Sequence, residues 1–232
     1  MNLIDKLNVK MQLASDVLGI DVSSVEQRSP EWHAMRLGVI TASDLKGVLA
    51  KKGSDTRKTA LHELIAEIDT RLPKELISAK ALQWGLDNEP FALEEYSFIT
   101  GAQPVQVPFI YGDETMRFGC SPDGVGIDRT LEVKCPIMTR HHIEALLDGT
   151  IKKEYMHQVQ MQMLCSGTQV VDFVSFDPRS RKRLHVLTIE RDDKLIDTIV
   201  DAIGEFSVEV DRALLRLDLK FGDQWVNNPL IG

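Results

Sequence analysis

Five short runs rich in Val, Ile, Phe and Leu limit how this 232-residue chain can fold. VQVPFIYGD (105–113), MRFGCSPDG (116–124) and LEVKCP (131–136) follow closely on one another, and VVDFVSFD (170–177) and RLHVLTIERD (183–192) come after an interruption. Their length and composition are those of strands. The interruption has helical pattern over about 139–149 and 154–166. Ahead of the strands, Leu3, Leu7, Met11, Ala14 and Leu18 recur at helical spacing until Gly19 stops the pattern. Further helices are expected from Ser29-Pro30 through Trp32 to Leu37, from Thr41 or Ser43 where a hydroxyl can cap the first turn, over about 58–69, and from Ala79 to Thr100. At the other end Ile196, Ile199, Ile203, Val210, Leu214 and Leu217 form one apolar stripe. Helices, three strands, helices, two strands and a helix make a single α/β domain, with a mixed central β-sheet flanked by helices.

Composition narrows the function classes. Apolar residues make up 43% of the chain and charged residues 27%, which suits a packed core and argues against disorder. No run of eighteen or more apolar residues occurs, so no membrane-spanning helix is expected, and the N-terminus lacks the apolar region of a signal peptide. Three cysteines, an odd number, point to a reducing cytosol without structural disulfides; no CxxC pair is present to hold zinc. The formal net charge of −8 leans against nucleic acid, whose binders draw affinity from counterion release. An acidic chain overcomes this only if its basic residues line one channel, or if divalent metals offset its acids.

Within CSPDGVGIDRTLEVKCP, Asp123 follows a proline, and Glu132-Val133-Lys134 comes nine residues later. Side chains two apart on a strand share a face, so Glu132 and Lys134 emerge together while Val133 turns to the core. The intervening GIDRT is long enough for a turn that brings Asp123 alongside them. Mg²⁺ takes carboxylate and carbonyl oxygens, and one or two carboxylates suffice. A lysine beside them can hold or deprotonate an attacking water, or stabilise a phosphorane-like transition state. Glu-x-Lys alone is also what a same-face ion pair on a strand would give.

Other stretches bear on the choice. Glu89 lies one turn past Gly85, and a mid-helix glycine suggests close approach of another element. Tyr155, Gln158 and Gln162 make a polar stripe beside apolar Met156, Val159 and Met163. Arg36 upstream of Thr41 and Ser43, at an expected helix N-terminus, would make either a phosphate pocket or an ordinary cap beside a surface arginine.

Pro122-Asp123…Glu132-Val133-Lys134 matches the P-D…(D/E)-x-K pattern of the restriction-endonuclease-like nuclease superfamily. More closely, EWHAMRLGVITAS, AKALQWGLDNEPFA, MRFGCSPDGV, LEVKCP, YMHQVQ and FDPRSRKRLHVLTIERD resemble the bacteriophage lambda exonuclease family. The similarity runs from about residue 20 to FGDQW at 221–225, which leaves residues 1–20 as an N-terminal helical extension before an exonuclease domain over 21–232. The resemblance implies a restriction-endonuclease-like core and a processive 5′-to-3′ exonuclease that acts on double-stranded DNA ends and leaves 3′ single strands. It implies a homotrimeric ring, a single-strand annealing recombinase as partner, and the cytoplasm of a bacterial host cell. It also implies that Asp123, Glu132, the Val133 carbonyl and Glu89 hold Mg²⁺ in a two-metal site, with Mn²⁺ able to substitute. Lys134 would position water, and Tyr155 and Gln158 would complete the catalytic pocket. Arg36, Ser43, Thr41, Ser121 and Arg140 would hold the 5′-phosphate, and Leu82 would split the terminal base pairs. The basic loop at 51–58 is shorter than the family's, leaving Lys51, Lys52, Arg57 and Lys58 as candidates for a minor-groove contact, and His157 replaces a small residue beside Gln158. A sequence-specific endonuclease on the same fold, or a DNA-end-binding scaffold with a dead site, are the competing readings. The first lacks chain for base-reading loops, and the second lacks a missing catalytic residue.

Overall fold

The computed structural model describes residues 2–74 and 80–231, so Ala79, the expected start of a helix, lies outside the described residues. Helix α1 (Leu3–Leu18) is capped by Asn2 and ends on Gly19 at φ 73°, a left-handed conformation that glycine adopts without penalty. Its five periodic residues are all buried and join two core clusters. Helix α2 (Pro30–Met35) starts on the Ser29 cap, with Pro30 in its first turn. The helix expected at Thr41 is reduced to a 3-10 turn (Ala42–Asp44) running into the single turn α3 (Leu45–Val48). Helices α4 (Asp55–Thr70), α5 (Lys80–Thr100), α6 (Thr139–Asp148), α7 (Lys153–Ser166) and α8 (Asp193–Leu215) fall where the periodicity places them. Leu217 is a correction: it lies past the end of α8 and is exposed, whereas Phe206 joins the buried stripe. Among the described residues no helix is long and apolar enough to cross a membrane.

The mixed sheet is divided in two. Strands β1 (Ile40–Thr41), β2 (Ile110–Tyr111) and β3 (Phe118–Cys120) form one sheet in the order β1-β3-β2, with β1 parallel and β2 antiparallel to β3. Strands β4 (Gly124–Val125), β5 (Thr130–Lys134), β6 (Val170–Phe176) and β7 (Leu184–Glu190) form the other in chain order. Only the β5–β6 pair there is parallel, because α6 and α7 supply the crossover that a parallel pair requires.

Strand alternation places the layers around the second sheet. Leu131 and Val133 of β5, with Val174 and Phe176 of β6, pack on Ala92 and Tyr96 of α5. Val171 and Phe173 face the other way, onto Val159 and Met163 of α7 and Ile196 of α8. Thr130, Glu132 and Lys134 share that second face, so a run of polar side chains emerges between β5 and α7.

Candidate active site

Asp123 sits immediately before β4, on the chain that passes from one sheet to the other. Its backbone N–H donates to the Leu131 carbonyl at 3.1 Å, and its Oδ2 accepts the Val133 N–H at 2.6 Å. The 126–129 turn, closed by Gly126 N–H to Arg129 O at 2.8 Å, holds β4 against β5. Glu132 is buried; Lys134 Nζ pairs with its Oε1, and Gln162 Nε2 donates to its Oε2. Thr130 Oγ1 donates to Gln162 Oε1 at 3.1 Å and fixes which way that amide points. Gln162, on the expected polar stripe of α7, therefore proves to be the residue that grips Glu132.

These groups line a cleft of about 450 Å³. Burial and the Glu132 carboxylate push the Asp123 carboxyl well above the usual carboxylate range, with the Lys134 ammonium acting the other way. Burial alone would lower Lys134, but Glu132 and Asp123 outweigh it and keep the ammonium charged. Gln158 Oε1 is buried in the cleft wall without a hydrogen-bond donor among the described residues. Two carboxylates, a buried amide oxygen and the Val133 backbone line the cleft, oxygen donors of the kind Mg²⁺ takes, while among the described residues no three His, Cys, Asp or Glu side chains gather into a metal-holding group of their own. Glu89 borders the same cleft from α5, where Arg28 Nη2 donates to its Oε2 at 2.6 Å. Gly85 also borders it. Among the described residues no element approaches Gly85, contrary to expectation; a Cβ there would meet none of their atoms within 4 Å.

The same cleft is lined by the expected phosphate-binding residues other than Arg140. Arg36 lies flat on Trp32, 3.6 Å from the ring centroid, and its buried Nε has no acceptor among the described residues. Burial pulls the guanidinium down to about 10, with Asp44 and Glu67 pulling the other way. Thr41 and Ser43 hydroxyls are 2.8 Å apart, and Ser121 Oγ donates to the Pro108 carbonyl at 3.0 Å. Thr41, Ser43, Ser121 and Leu82 all line the cleft. With only a single turn at α3, side chains rather than the N-terminus of a long helix line this part of the cleft.

Other expected residues lie elsewhere. Tyr155 stacks on Phe173 and lies 5.2 Å from Lys134 Nζ, lining an adjoining cavity of about 180 Å³ that shares Lys134 with the cleft. Arg140, exposed on α6, and His157, half-buried on α7, line neither cavity. Arg57 is withdrawn as a minor-groove contact. It is buried, paired with Glu209 at 3.0 Å and bonded to the Val48 and Ala50 carbonyls. Lys52 pairs with Glu205 at 3.0 Å, and Lys58 lies 4.0 Å from Asp55. Sequence reading did not single out Gln27, Arg28 or the stacking role of Trp32, and no pattern around them gives a signal.

Residues 31–169, more than half the chain and all of this cleft's strands, match the family described as the YqaJ-like viral recombinase domain. The Escherichia coli (strain K12) protein ExoD is 37% identical over 76 residues, 32% of this chain and 87% of its own length. LHK-Exo, an alkaline exonuclease from Laribacter hongkongensis, superimposes with a TM-score of 0.75 at 36% identity, over 81% of this chain and 95% of that one. Its complex with dAMP matches to the same extent at 37% identity. A phage related exonuclease from Haemophilus somnus 129PT shares the fold at 19% identity, with a TM-score of 0.63 over 77% of this chain and 96% of that one. By sequence and by architecture, the chain belongs to the YqaJ-like viral recombinase domain family and has the fold of a lambda-exonuclease-like alkaline exonuclease.

Proposed function

We propose that the protein is a Mg²⁺-dependent exonuclease that degrades one strand of double-stranded DNA from its 5′ end and leaves a 3′ single-stranded tail. The observation that carries this reading is the cleft itself. Asp123, Glu132 and Lys134 line it together with Thr41, Ser43, Ser121 and Arg36, whose buried Nε has no acceptor among the described residues. Asp123, Glu132, the Val133 carbonyl and Glu89 would hold the metal, which supplies Lewis-acid activation of water and of the scissile phosphate. Lys134, kept protonated by its acids, donates rather than accepts: it orients the attacking water and neutralises charge that develops on the phosphate oxygens. Gln158 presents to the same space an amide oxygen that has no donor among the described residues, and Gln162 keeps Glu132 from rotating away. Arg36 and the hydroxyls of the cleft hold the terminal 5′-phosphate, and Leu82 wedges the last base pair.

A homotrimeric ring and a single-strand annealing recombinase as partner complete the proposal. Both follow from the resemblance to the lambda exonuclease family, as do Mn²⁺ as a substitute ion and the division of the chain at residue 20.

Linear duplex with 5′-phosphate ends, linear duplex with 5′-hydroxyl ends and a closed circle are incubated with Mg²⁺, with Lys134→Ala alongside. Loss of one strand from the phosphorylated ends, an intact circle and a silent variant are expected. A cut circle would move the reading to an endonuclease on the same fold.

A further inference from the structure

Arg28 takes no part in the roles assigned above, yet it reaches the same cleft. Gln27 fastens the loop ahead of α2. Its Nε2 donates to the Val107 carbonyl at 2.8 Å and to the carbonyl of Pro122, the residue before Asp123, at 3.1 Å. Arg28 then adopts a left-handed backbone at φ 72°, uncommon for a long side chain. From there its guanidinium crosses to α5 and pairs with Glu89 at 2.6 Å. The cleft acids are thus neutralised separately: Lys134 pairs with Glu132, and among the described residues Arg28 is the cation paired with Glu89.

We infer that Arg28 is a counter-ion latch on Glu89, which holds that carboxylate while the cleft lacks divalent metal and turns to a substrate phosphate when metal and DNA enter. The inference rests on the metal-dependent nuclease reading. A guanidinium and a hard cation compete for the same carboxylate oxygens, and the planar fork of arginine suits a phosphate equally well. The Arg28 side chain is 45% exposed and that of Glu89 15%, so Arg28 is the partner with room to swing. A cation displaced from Glu89 by metal and then captured by DNA makes the two ligands bind cooperatively, and the coupling is reciprocal.

Arg28→Gly removes the guanidinium and suits the left-handed backbone, so the fold is spared; Arg28→Lys keeps the charge without the fork. Ca²⁺, which such a site should bind with little turnover, is titrated calorimetrically into wild type and both variants, alone and with a 5′-phosphorylated duplex. Without DNA, Arg28→Gly is expected to bind Ca²⁺ at least about fivefold more tightly than wild type and to lose most of the metal–DNA coupling. Arg28→Lys is expected to retain part of it. Equal Ca²⁺ affinity and equal coupling in wild type and Arg28→Gly would overturn the latch. Digestion of duplex by the same wild-type preparation with Mg²⁺ would leave the exonuclease reading standing in that case. A wild type that neither binds the ion nor cuts would sink both.

Discussion

Arg36 lies against the Trp32 indole with its Nε buried and without an acceptor among the described residues, which leaves a donor for the 5′-phosphate proposed above. Charge-assisted hydrogen bonds contribute about 1.5–3 kcal/mol, a factor of roughly 10–100. In Arg36→Gln the ratio of kcat/KM on 5′-phosphate over 5′-hydroxyl ends is expected to fall by about that factor, with Arg36→Lys recovering only part. Digestion kinetics on the two kinds of end measure it, and an unchanged ratio in a folded variant would remove Arg36 from end binding. Gln162 makes a different case, since it acts by hydrogen-bonding Glu132, one of the proposed metal ligands. Groups that orient metal ligands typically account for 10–100-fold in metal affinity. Gln162→Leu is therefore expected to weaken Mn²⁺ binding by about that much, read by calorimetry, and Thr130→Val to have a smaller effect in the same direction. Full Mn²⁺ affinity in Gln162→Leu would mean that Lys134 alone holds Glu132 in place.

Strand β6 is followed by Asp177, whose buried carboxylate anchors the turn to β7 and, through it, the segment just past Lys134. Asp177 accepts from Arg179 N–H at 2.9 Å and Nε at 2.8 Å, while Arg179 Nη2 reaches the Ile137 carbonyl at 2.9 Å. Burial raises the Asp177 carboxyl, but the Arg179 bonds and charge outweigh it and bring it down to about 2. A folded value below the unfolded one means that the stabilisation is fully present above about pH 4 and fades as pH falls toward 2. Asp177→Asn should lower thermal stability at neutral pH, and the difference from wild type should close between about pH 4 and pH 2. Melts across that range test it, and a constant difference would show that the aspartate acts by shape and not by charge. The same scale separates what was legible from what was not. Long helices and five-to-seven-residue strands announce themselves by period, and Glu-x-Lys on β5 projected as strand geometry requires. Ile40–Thr41 and Gly124–Val125 are strands of two residues, too short to display alternation, so the division into two sheets stayed hidden. Gly85 was misread because an absent side chain signals close packing and open space alike. Arg28 pairs with a residue 61 positions away, from a loop whose sequence says nothing of its direction.

At the scale of the molecule the difficulty is the net charge of −8, since an acidic chain is repelled by DNA at long range. The cleft sets Arg28, Arg36 and Lys134 against Glu89, Asp123 and Glu132, so it offers a duplex end little net positive charge. Few phosphate contacts imply modest affinity and a shallow salt dependence, because the slope of log K against log salt is about −0.9 per phosphate neutralised. Processive digestion then needs another source of grip, and the proposed ring of three subunits provides one: a closed ring holds its substrate by topology, which salt does not screen. The two sources separate experimentally. As salt rises, the rate of loading onto linear duplex ends should fall along the counterion slope, while the length degraded per loading event should stay nearly constant for as long as sedimentation shows three subunits together. Dilution below the point of dissociation should then shorten that length abruptly at fixed salt. A run length that instead declines with salt in step with loading, while the oligomer stays intact, would mean that the chain is held on DNA by charge and that the ring is not what makes it processive.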